Sequence, residues 1–211
     1  MIIERKYRPR NIEEFCDNNI QNIVKDKIIN TENDYRFILI NGEIGTGKSA
    51  LAYIIARYYT DENNIVFTTA TNVLSSINKL LNESAYSDKK SVIIIEEPEW
   101  INRSLGEKLV SKLKELNDNV IVIMTYTDED KIAKVIMTAL DNESSTLKLK
   151  TSRLDAKSNY KMIVETLLRY NEEHVSDSML TDKEIYDIVN NNDCSPREYL
   201  LKVQELIANK A

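Results

Sequence analysis

The stretch Gly42-Glu-Ile-Gly45-Thr46-Gly47-Lys48-Ser49 decides the fold of this chain. It follows an apolar run at residues 37–40 and precedes Ala50-Leu-Ala-Tyr-Ile-Ile-Ala, so the order is strand, glycine loop, helix. That order is the setting of a phosphate-binding P-loop. The glycines let the backbone curl until successive N–H groups face one anion, and the following helix adds partial positive charge at its N-terminus. The sequence therefore predicts binding of a nucleoside triphosphate.

The loop also predicts contacts to the nucleotide and its metal ion. Lys48 is expected to reach the β- and γ-phosphates, and the Ser49 hydroxyl to ligate Mg²⁺. Gly45, Thr46 and Gly47 are expected to complete the phosphate cradle with their backbone.

Composition narrows the function classes. The formal net charge is −6, whereas an autonomous DNA-binding domain usually carries a basic excess. Strong independent DNA binding is therefore disfavoured, and a local basic face within an assembly stays open. The two cysteines, Cys16 and Cys194, lie far apart; they form neither a disulfide framework nor a zinc motif and suit a reducing cytoplasm. The N-terminus does not read as a signal peptide and no apolar run reaches membrane-spanning length, so a cytoplasmic protein without a membrane partner is expected.

Hydrophobic periodicity predicts an α/β architecture. Residues 91–95 and 119–125 are continuous apolar runs, typical of strands buried on both faces of a parallel sheet. Shorter strands are predicted near 64–68 and 147–151. Helical spacing alternates with these strands, which predicts a doubly wound parallel sheet. The predicted helices span about 18–29, 48–59, 71–82, 104–115 and 128–139.

Both ends of the chain depart from this alternation. Residues 4–15 are predicted as an extended arm, because Pro9 disfavours a helix at Arg8. From about residue 155 the pattern is helical only, and Thr181 and Ser195 are each followed three residues later by Glu, as in a helix-capping box. The sequence predicts an α/β nucleotide-binding domain at 1–154 and a three-helix lid domain at 155–211.

Two acidic residues follow the first buried strand directly. Glu96 and Glu97 end the run Ile93-Ile94-Ile95, which is the Walker B pattern. Glu96 is expected to hold Mg²⁺, directly or through water, and Glu97 to polarise the attacking water. Asp is the usual first acid, so Glu96 adds one methylene and puts the metal geometry and the rate in question.

Two further positions are candidates for contacts to the γ-phosphate. The strand at 119–125 ends in Thr125-Tyr-Thr127, and either threonine can hydrogen-bond the γ-phosphate or the attacking water; the sequence leaves the choice open. Arg197 lies in the first turn of the predicted last helix, where a cation opposes the helix dipole. A lid arginine there can sense the γ-phosphate through charge-assisted hydrogen bonds.

Taken together, these residues resemble the AAA+ ATPases, and among them the clamp-loader branch of replication factor C small subunits and their bacterial and phage counterparts. The arm Lys6-Tyr7-Arg8-Pro9 is similar to the opening motif of that branch. The resemblance implies that Tyr7, Arg8 and Pro9 lie along the adenine of ATP. It also implies a Walker A loop at 42–49, Walker B at 96–97, sensor 1 at Thr127 and a sensor 2 helix at 195–197.

The chain departs from that branch in three ways. No collar domain follows the predicted lid, and the zinc-binding cysteines of bacterial relatives are missing. The Ser-Arg-Cys motif that supplies an arginine finger is expected near residues 139–143, which here read Ala-Leu-Asp-Asn-Glu. Arg153 lies nearby but after the predicted last strand. The sequence leaves open whether Arg153 or a partner supplies a finger.

Three functions remain open at this stage. The first is a clamp-loader-like ATPase in DNA replication that is stimulated by a partner or by DNA. It would act with other AAA+ subunits, in a homo- or hetero-oligomer, on a sliding clamp and primer–template DNA. The second is an initiator or helicase-loader ATPase. The third is a nucleotide-binding scaffold with little hydrolysis. The abundance of Asn and Ile indicates an AT-rich genome, which suits a phage.

Overall fold

Five parallel strands form the central sheet of the computed structural model, which describes residues 3–31, 35–84, 89–173, 180–190 and 193–210. The spatial order is β2-β3-β4-β1-β5, and every neighbouring pair is parallel. All five carboxyl ends therefore meet at one edge, and β4 lies between β1 and β3. The strands are β1 Phe37–Asn41, β2 Ile65–Thr69, β3 Ser91–Glu96, β4 Val120–Tyr126 and β5 Thr146–Lys150.

Helices cover both faces of this sheet. Along β3, Val92 and Ile94 pack in the apolar cluster with α2 and α3, while Ile93 and Ile95 pack in the cluster with α4, α5 and α6. Successive strand residues point to opposite faces, so both faces are buried and the run is apolar throughout. The doubly wound α/β prediction is confirmed. The helices are α1 Ile3–Lys6, α2 Asn18–Val24, α3 Lys48–Tyr59, α4 Val73–Ser84, α5 Arg103–Glu115, α6 Lys134–Asp141, α7 Ala156–Glu173, α8 Asp182–Asn190 and α9 Pro196–Lys210.

The helices after β5 enclose an apolar cluster of their own. Ile163 of α7, Ile185 of α8 and Val203 of α9 are buried together, and the N-terminal residues Ile3 and Tyr7 are buried with them. The beginning of the chain thus packs against its helical end. The domain boundary between residues 154 and 155 stays a prediction.

The extended arm predicted for residues 4–15 is wrong over half of its length. Ile3–Lys6 forms α1, because the Ile3 side chain is buried beside α9 and the Ile3 N–H donates to Gln204 Oε1 at 2.7 Å. Residues 12–14 form one turn of 3-10 helix capped by the Asn11 side chain. Only the segment around Pro9 has no regular structure.

Three other helix predictions need adjustment. The helix predicted over 128–139 is one turn of 3-10 helix at Glu129–Lys131 followed by α6, which begins at Lys134. The helix predicted over 18–29 is helical throughout, but it changes to π-helix at Lys25–Ile29. The helix predicted to begin at residue 104 starts at Arg103, because Asn102 caps it by accepting from the Leu105 N–H at 3.0 Å. The predicted caps at Thr181 and Ser195 are both formed with the Glu three residues later.

Candidate functional site

The glycine loop connects β1 to α3 at the carboxyl edge of the sheet. Gly45 and Gly47 have φ of 82° and 92°, values that residues with a Cβ rarely adopt. Gly47 is the N-cap of α3, and the Phe15 ring packs so close that a Cβ on Gly47 would lie 3.1 Å from it. The local conformation is therefore the anion-binding loop that the spacing predicts.

Lys48 lies in the first turn of α3 and is half-buried. Its ammonium donates to the carbonyl oxygens of Gly42 at 2.7 Å and Glu43 at 2.8 Å. Burial lowers the pKa of Lys48 below its ordinary value; among the charges, that of Glu99 opposes this shift most strongly and that of Arg197 adds to it. The lysine is thus held at the loop by neutral acceptors, within the field of several charged groups.

A buried pair of hydroxyls anchors the loop to the end of β5. Thr46 Oγ1 and Thr151 Oγ1 lie 2.7 Å apart, and both residues are buried. Thr46 Oγ1 also donates to the Glu43 carbonyl at 2.8 Å, and the Thr151 N–H donates to Asn41 O at 2.8 Å. Thr151, which the sequence analysis missed, therefore holds the P-loop against the end of β5.

Glu96 and Glu97 lie at the carboxyl end of β3, next to β4. Glu96 pairs in register with Thr125, and the Glu97 N–H donates to Thr125 O at 3.2 Å. Glu97 has φ 54°, the one positive φ at a non-glycine residue in the described ranges. A left-handed glutamate is strained. The Glu97 carboxylate is exposed, and the Glu96 side chain is half-buried.

The two candidate threonines differ in their surroundings. Thr125 is buried within β4, whereas Thr127 lies just beyond the strand and is exposed. The Thr127 carbonyl accepts from Asn41 Nδ2 at 3.5 Å, which links it to the end of β1. The accessible hydroxyl is therefore that of Thr127.

The N-terminus of α9 sits directly on the glycine loop. A Cβ on Gly45 would lie 2.5 Å from Ser195 Oγ, and the Arg197 N–H donates to Gly45 O at 3.4 Å. Ser195 and Glu198 form the predicted capping box, with the Ser195 N–H donating to Glu198 Oε2 at 2.7 Å. This contact brings the exposed Arg197 to the phosphate-binding loop.

These elements line one cleft of about 380 Å³, called the cleft below. Every residue that the sequence analysis proposed for the nucleotide or its metal lies in its wall. Those residues are Tyr7, Arg8, Pro9, Gly45, Thr46, Gly47, Lys48, Ser49, Glu96, Glu97, Thr125, Thr127 and Arg197.

The remaining lining of the cleft is mixed in character. It includes Phe15, Cys16, Met162, Thr166, Arg169 and Leu200. The Tyr7 ring is buried edge-to-face with Tyr170, and its hydroxyl donates to Glu173 Oε2 at 2.9 Å. Burial raises the pKa of the Cys16 thiol to about 11, so this thiol is a weakly polar wall rather than a nucleophile.

Arg153 is engaged within its own chain. Its Nε donates to Glu43 Oε2 at 2.8 Å, and its Nη1 donates to Asp193 Oδ1 at 3.1 Å. Because Glu43 belongs to the P-loop and Asp193 precedes α9, Arg153 joins the loop to the helical part.

The residues of the cleft fit a nucleoside triphosphate with Mg²⁺. The glycine loop, the N-terminus of α3 and the cations Lys48 and Arg197 suit a polyphosphate. Within the described ranges, no cluster of three or more His, Cys, Asp or Glu could hold a metal ion alone. Mg²⁺ is usually bound by one or two carboxylates together with phosphates and water, so Ser49 and Glu96 suffice only beside a bound nucleotide.

Comparison with known families places the chain. A model of the family described as Novel STAND NTPase 3 matches residues 20–182, which include the P-loop, both acidic residues after β3 and the two threonines. The chain belongs to this family. A comparison with curated proteins found no match.

Solved structures similar to this STAND NTPase share its fold. Domain III of the Thermotoga maritima replication initiation protein DnaA has a TM-score of 0.71 at 16% identity, covering 98% of this chain and 89% of that one. The Thermotoga maritima RuvB Holliday junction branch migration motor has a TM-score of 0.72 at 17% identity, covering 97% of this chain and 72% of that one. The chain therefore has the α/β P-loop fold of AAA+ proteins, followed by a helical part. At these identities the likeness concerns the fold alone, so the expected clamp-loader branch is not established by it.

The STAND NTPase structure also adds residues that sequence reasoning missed. Thr151 follows the last strand without any motif, and Glu99 lies two residues after Walker B, where the sequence analysis assigned it no role. The available signal was the presence of Glu99 as a third acidic residue close to Glu96 and Glu97. Of the flanking residues, Pro98 is buried and Trp100 is 78% exposed.

In the part of the chain that the structure covers, no helix has the length and apolar character needed to cross a bilayer.

Proposed function

We propose that this chain is an ATPase that binds ATP with Mg²⁺ and hydrolyses it to ADP and phosphate. The observation that carries the proposal is the convergence of four sequence-distant elements on one cleft: the P-loop, the end of β3, the end of β4 and the start of α9. Each contributes a different part of phosphoryl-transfer chemistry, which depends mainly on positioning and charge stabilisation.

The P-loop end of the cleft binds the phosphates. The loop N–H groups face the anion, and Lys48 exchanges the Gly42 and Glu43 carbonyls for phosphate oxygens. Ser49 and Glu96 would hold Mg²⁺ together with the phosphates, and the ion would neutralise charge that develops during the reaction. Arg197 can donate charge-assisted hydrogen bonds to the γ-phosphate from the side of α9.

The attacking water is activated by Glu97 and Thr127, which lie at the carboxyl ends of β3 and β4. Glu97 is the exposed carboxylate beside the P-loop and accepts a proton from the attacking water as the general base. Thr127, whose hydroxyl is accessible at the neighbouring strand tip, orients that water or the γ-phosphate. The strained backbone at Glu97 is typical of a functional position.

Selectivity for adenine is proposed to reside in the N-terminal segment. Arg8 is exposed, Pro9 is half-buried, and both line the cleft beside Phe15. The buried Tyr7 ring fixes the segment against α7 rather than lying free as a stacking platform. Arg8 and Pro9 are therefore the better candidates for direct contact with the base, with Tyr7 supporting them.

In this proposal the working ATPase is an assembly of AAA+ subunits of one or more kinds. Arg153 is paired within its own chain, which favours a partner subunit as the source of an arginine finger. A clamp-loader-like role in DNA replication, stimulated by a sliding clamp or primer–template DNA, follows from the Lys6-Tyr7-Arg8-Pro9 segment. A cytoplasmic setting and a phage origin belong to the same proposal.

A second candidate is an initiator-type or helicase-loader ATPase. The similarity to domain III of the replication initiation protein DnaA, over 98% of this chain, favours it. A scaffold that binds ATP with little turnover is favoured by Glu96 in place of Asp and by the left-handed Glu97. Turnover with ATP separates the scaffold from both ATPases, and stimulation by a clamp or by a replicative helicase separates the ATPases.

The proposal is tested by calorimetric titration with ATP and GTP in the presence of Mg²⁺. We expect ATP binding to wild type, weaker GTP binding, and loss of ATP binding in Lys48→Ala. Lys112→Ala, on an exposed face of α5, is the control. Equal binding of ATP by wild type and Lys48→Ala would overturn the proposal. Light scattering with and without ATP·Mg²⁺ then gives the mass of any assembly.

A further inference from the structure

Glu99 ties the tips of two neighbouring strands together. It lies in the single 3-10 turn Pro98–Trp100 that directly follows the end of β3. Its Oε1 accepts from the Thr127 N–H at 2.5 Å and from the Asp128 N–H at 3.2 Å. Those are the first two residues after β4. The Glu99 side chain, which follows β3, therefore binds the backbone N–H groups at the end of β4.

This tie adds to a backbone link closer to the sheet. The Glu97 N–H donates to Thr125 O at 3.2 Å. This bond joins the ends of β3 and β4 two residues before the bond between Glu99 and Thr127. Beyond that point the described structure gives the Thr127 N–H one acceptor, the Glu99 carboxylate. The Glu99 side chain therefore holds the Thr127 N–H on the side of β3, while Asn41 holds the Thr127 carbonyl on the side of β1.

The second carboxylate oxygen of Glu99 is in an unusual state. Oε2 is buried and has no hydrogen-bond partner in the described part of the chain. A buried unsatisfied oxygen costs free energy and calls for an explanation beyond packing. Glu99 also lines two spaces at once, the cleft and an outer groove formed with Trp100, Arg103 and Lys134.

We propose that Glu99 is a positioning residue: it holds Thr127 at the height of the γ-phosphate, so that the cleft distinguishes a triphosphate from a diphosphate. The inference rests on the proposed nucleotide binding. Glu99 acts through the Thr127 backbone rather than on the phosphate, because a second anion beside the γ-phosphate would repel it. Its charge is offset by Lys48, with which it interacts across the cleft.

The neighbouring tryptophan makes this arrangement observable. Trp100 is the chain's single tryptophan, shares the 3-10 turn with Glu99, and is 78% exposed. The Trp100 backbone N–H donates to Glu97 O at 3.2 Å, so the indole is carried by the same turn as the proposed general base. A shift of this turn when the γ-phosphate meets Thr127 changes the surroundings of the indole, and hence its fluorescence.

The test compares affinities for ATPγS and ADP by competition with a fluorescent nucleotide. Loss of a charge-assisted hydrogen bond between Thr127 and the γ-phosphate corresponds to a loss of roughly tenfold or more in affinity. We expect Glu99→Ala to lose about tenfold for ATPγS with little change for ADP. Glu99→Gln, which keeps an acceptor oxygen, should recover most of the difference. Glu107→Ala, which removes an exposed carboxylate on α5, is the control and should match wild type.

A second readout separates positioning from general damage. The emission of Trp100 should shift with ATPγS but not with ADP in wild type, and Glu99→Ala should abolish that difference. If Glu99→Ala does not fold, Glu99→Asp decides, because its shorter side chain cannot reach both amides and should lose the same preference.

Several outcomes would overturn the inference. If wild type binds ATPγS and ADP equally, the inference is overturned, although the proposed nucleotide binding still stands. Glu99 variants that keep the wild-type preference, or that weaken ADP as much as ATPγS, would also overturn it. Glu99→Gln behaving like Glu99→Ala would contradict positioning of Thr127 by an acceptor oxygen. Wild type that binds neither nucleotide would overturn the proposed function, and this inference with it.

Discussion

The Arg153 guanidinium donates to Glu43 Oε2 at 2.8 Å, and so connects the segment after β5 to the phosphate-binding loop. A second bond from Arg153 reaches Asp193 Oδ1 at 3.1 Å, just before α9. Three parts of the chain thus meet at one cation. The seat of α9 on the P-loop, which brings Arg197 to the cleft, is stabilised from outside by this ion triad.

Arg153→Ala is predicted to weaken the contact between α9 and the P-loop. The three groups are exposed, so their attraction is screened by salt. We expect a lower melting temperature than wild type at low salt, with the difference shrinking at high salt. Arg103→Ala, which removes another exposed arginine ion pair, is the matched control. A variant that keeps wild-type stability at every salt concentration yet loses turnover would instead show that Arg153 acts on a neighbouring subunit.

Thr151→Val is predicted to destabilise the chain by about 1–2 kcal/mol, because it removes a buried hydroxyl and leaves its partner less well satisfied. Urea unfolding measures the change. Thr71→Val, at an exposed position, is the control and should be near neutral. The double variant Thr46→Val/Thr151→Val should cost less than the sum of the single changes, since the two hydroxyls share one interaction. Additive costs would contradict the pairing.

The Cys16 thiol predicts a dependence of stability on alkaline pH. Its pKa is raised from 9.0 to about 11, mainly by burial and next by the charge of Glu165. Between these values the unfolded chain loses the proton while the folded chain keeps it. The stabilising effect is therefore complete below pH 9 and is lost as the pH rises toward 11.

Comparison with Cys16→Ala isolates this contribution from other titrating groups. The stability of wild type relative to the variant should fall by up to about 2 kcal/mol between pH 8 and pH 11, since solvent at the rim of the cleft screens part of the effect. Urea unfolding at a series of pH values measures it. A difference that stays constant across this range would refute the buried thiol.

The layout of the fold could be predicted because local patterns are unambiguous here. The strand at Ser91–Glu96 is apolar at every interior position, and only a sheet covered on both faces requires that. The glycine spacing before Lys48 then indicates at which strand edge the P-loop lies. The convergence of Lys48, Glu97 and Thr127 followed from the parallel strand ends.

The parts that could not be predicted depend on long-range packing. Nothing near Ile3 indicates a helix; α1 forms because α9 offers a buried contact and an acceptor in Gln204. Thr151 and Glu99 act through partners 105 and 28 residues away, which local spacing cannot reveal. Helix α5 begins earlier than predicted because Asn102, Ser104 and Glu107 all carry capping chemistry, and only the backbone decides among them.

The central claim is that the cleft hydrolyses ATP with Glu97 as the general base. Phosphate release in a single turnover, measured for wild type and Glu97→Gln alongside retention of bound nucleotide, tests it most directly. The account predicts turnover by wild type, and a Glu97→Gln variant that retains ATP while phosphate release falls about 100-fold or more. Phosphate release at the wild-type rate by Glu97→Gln would contradict the account.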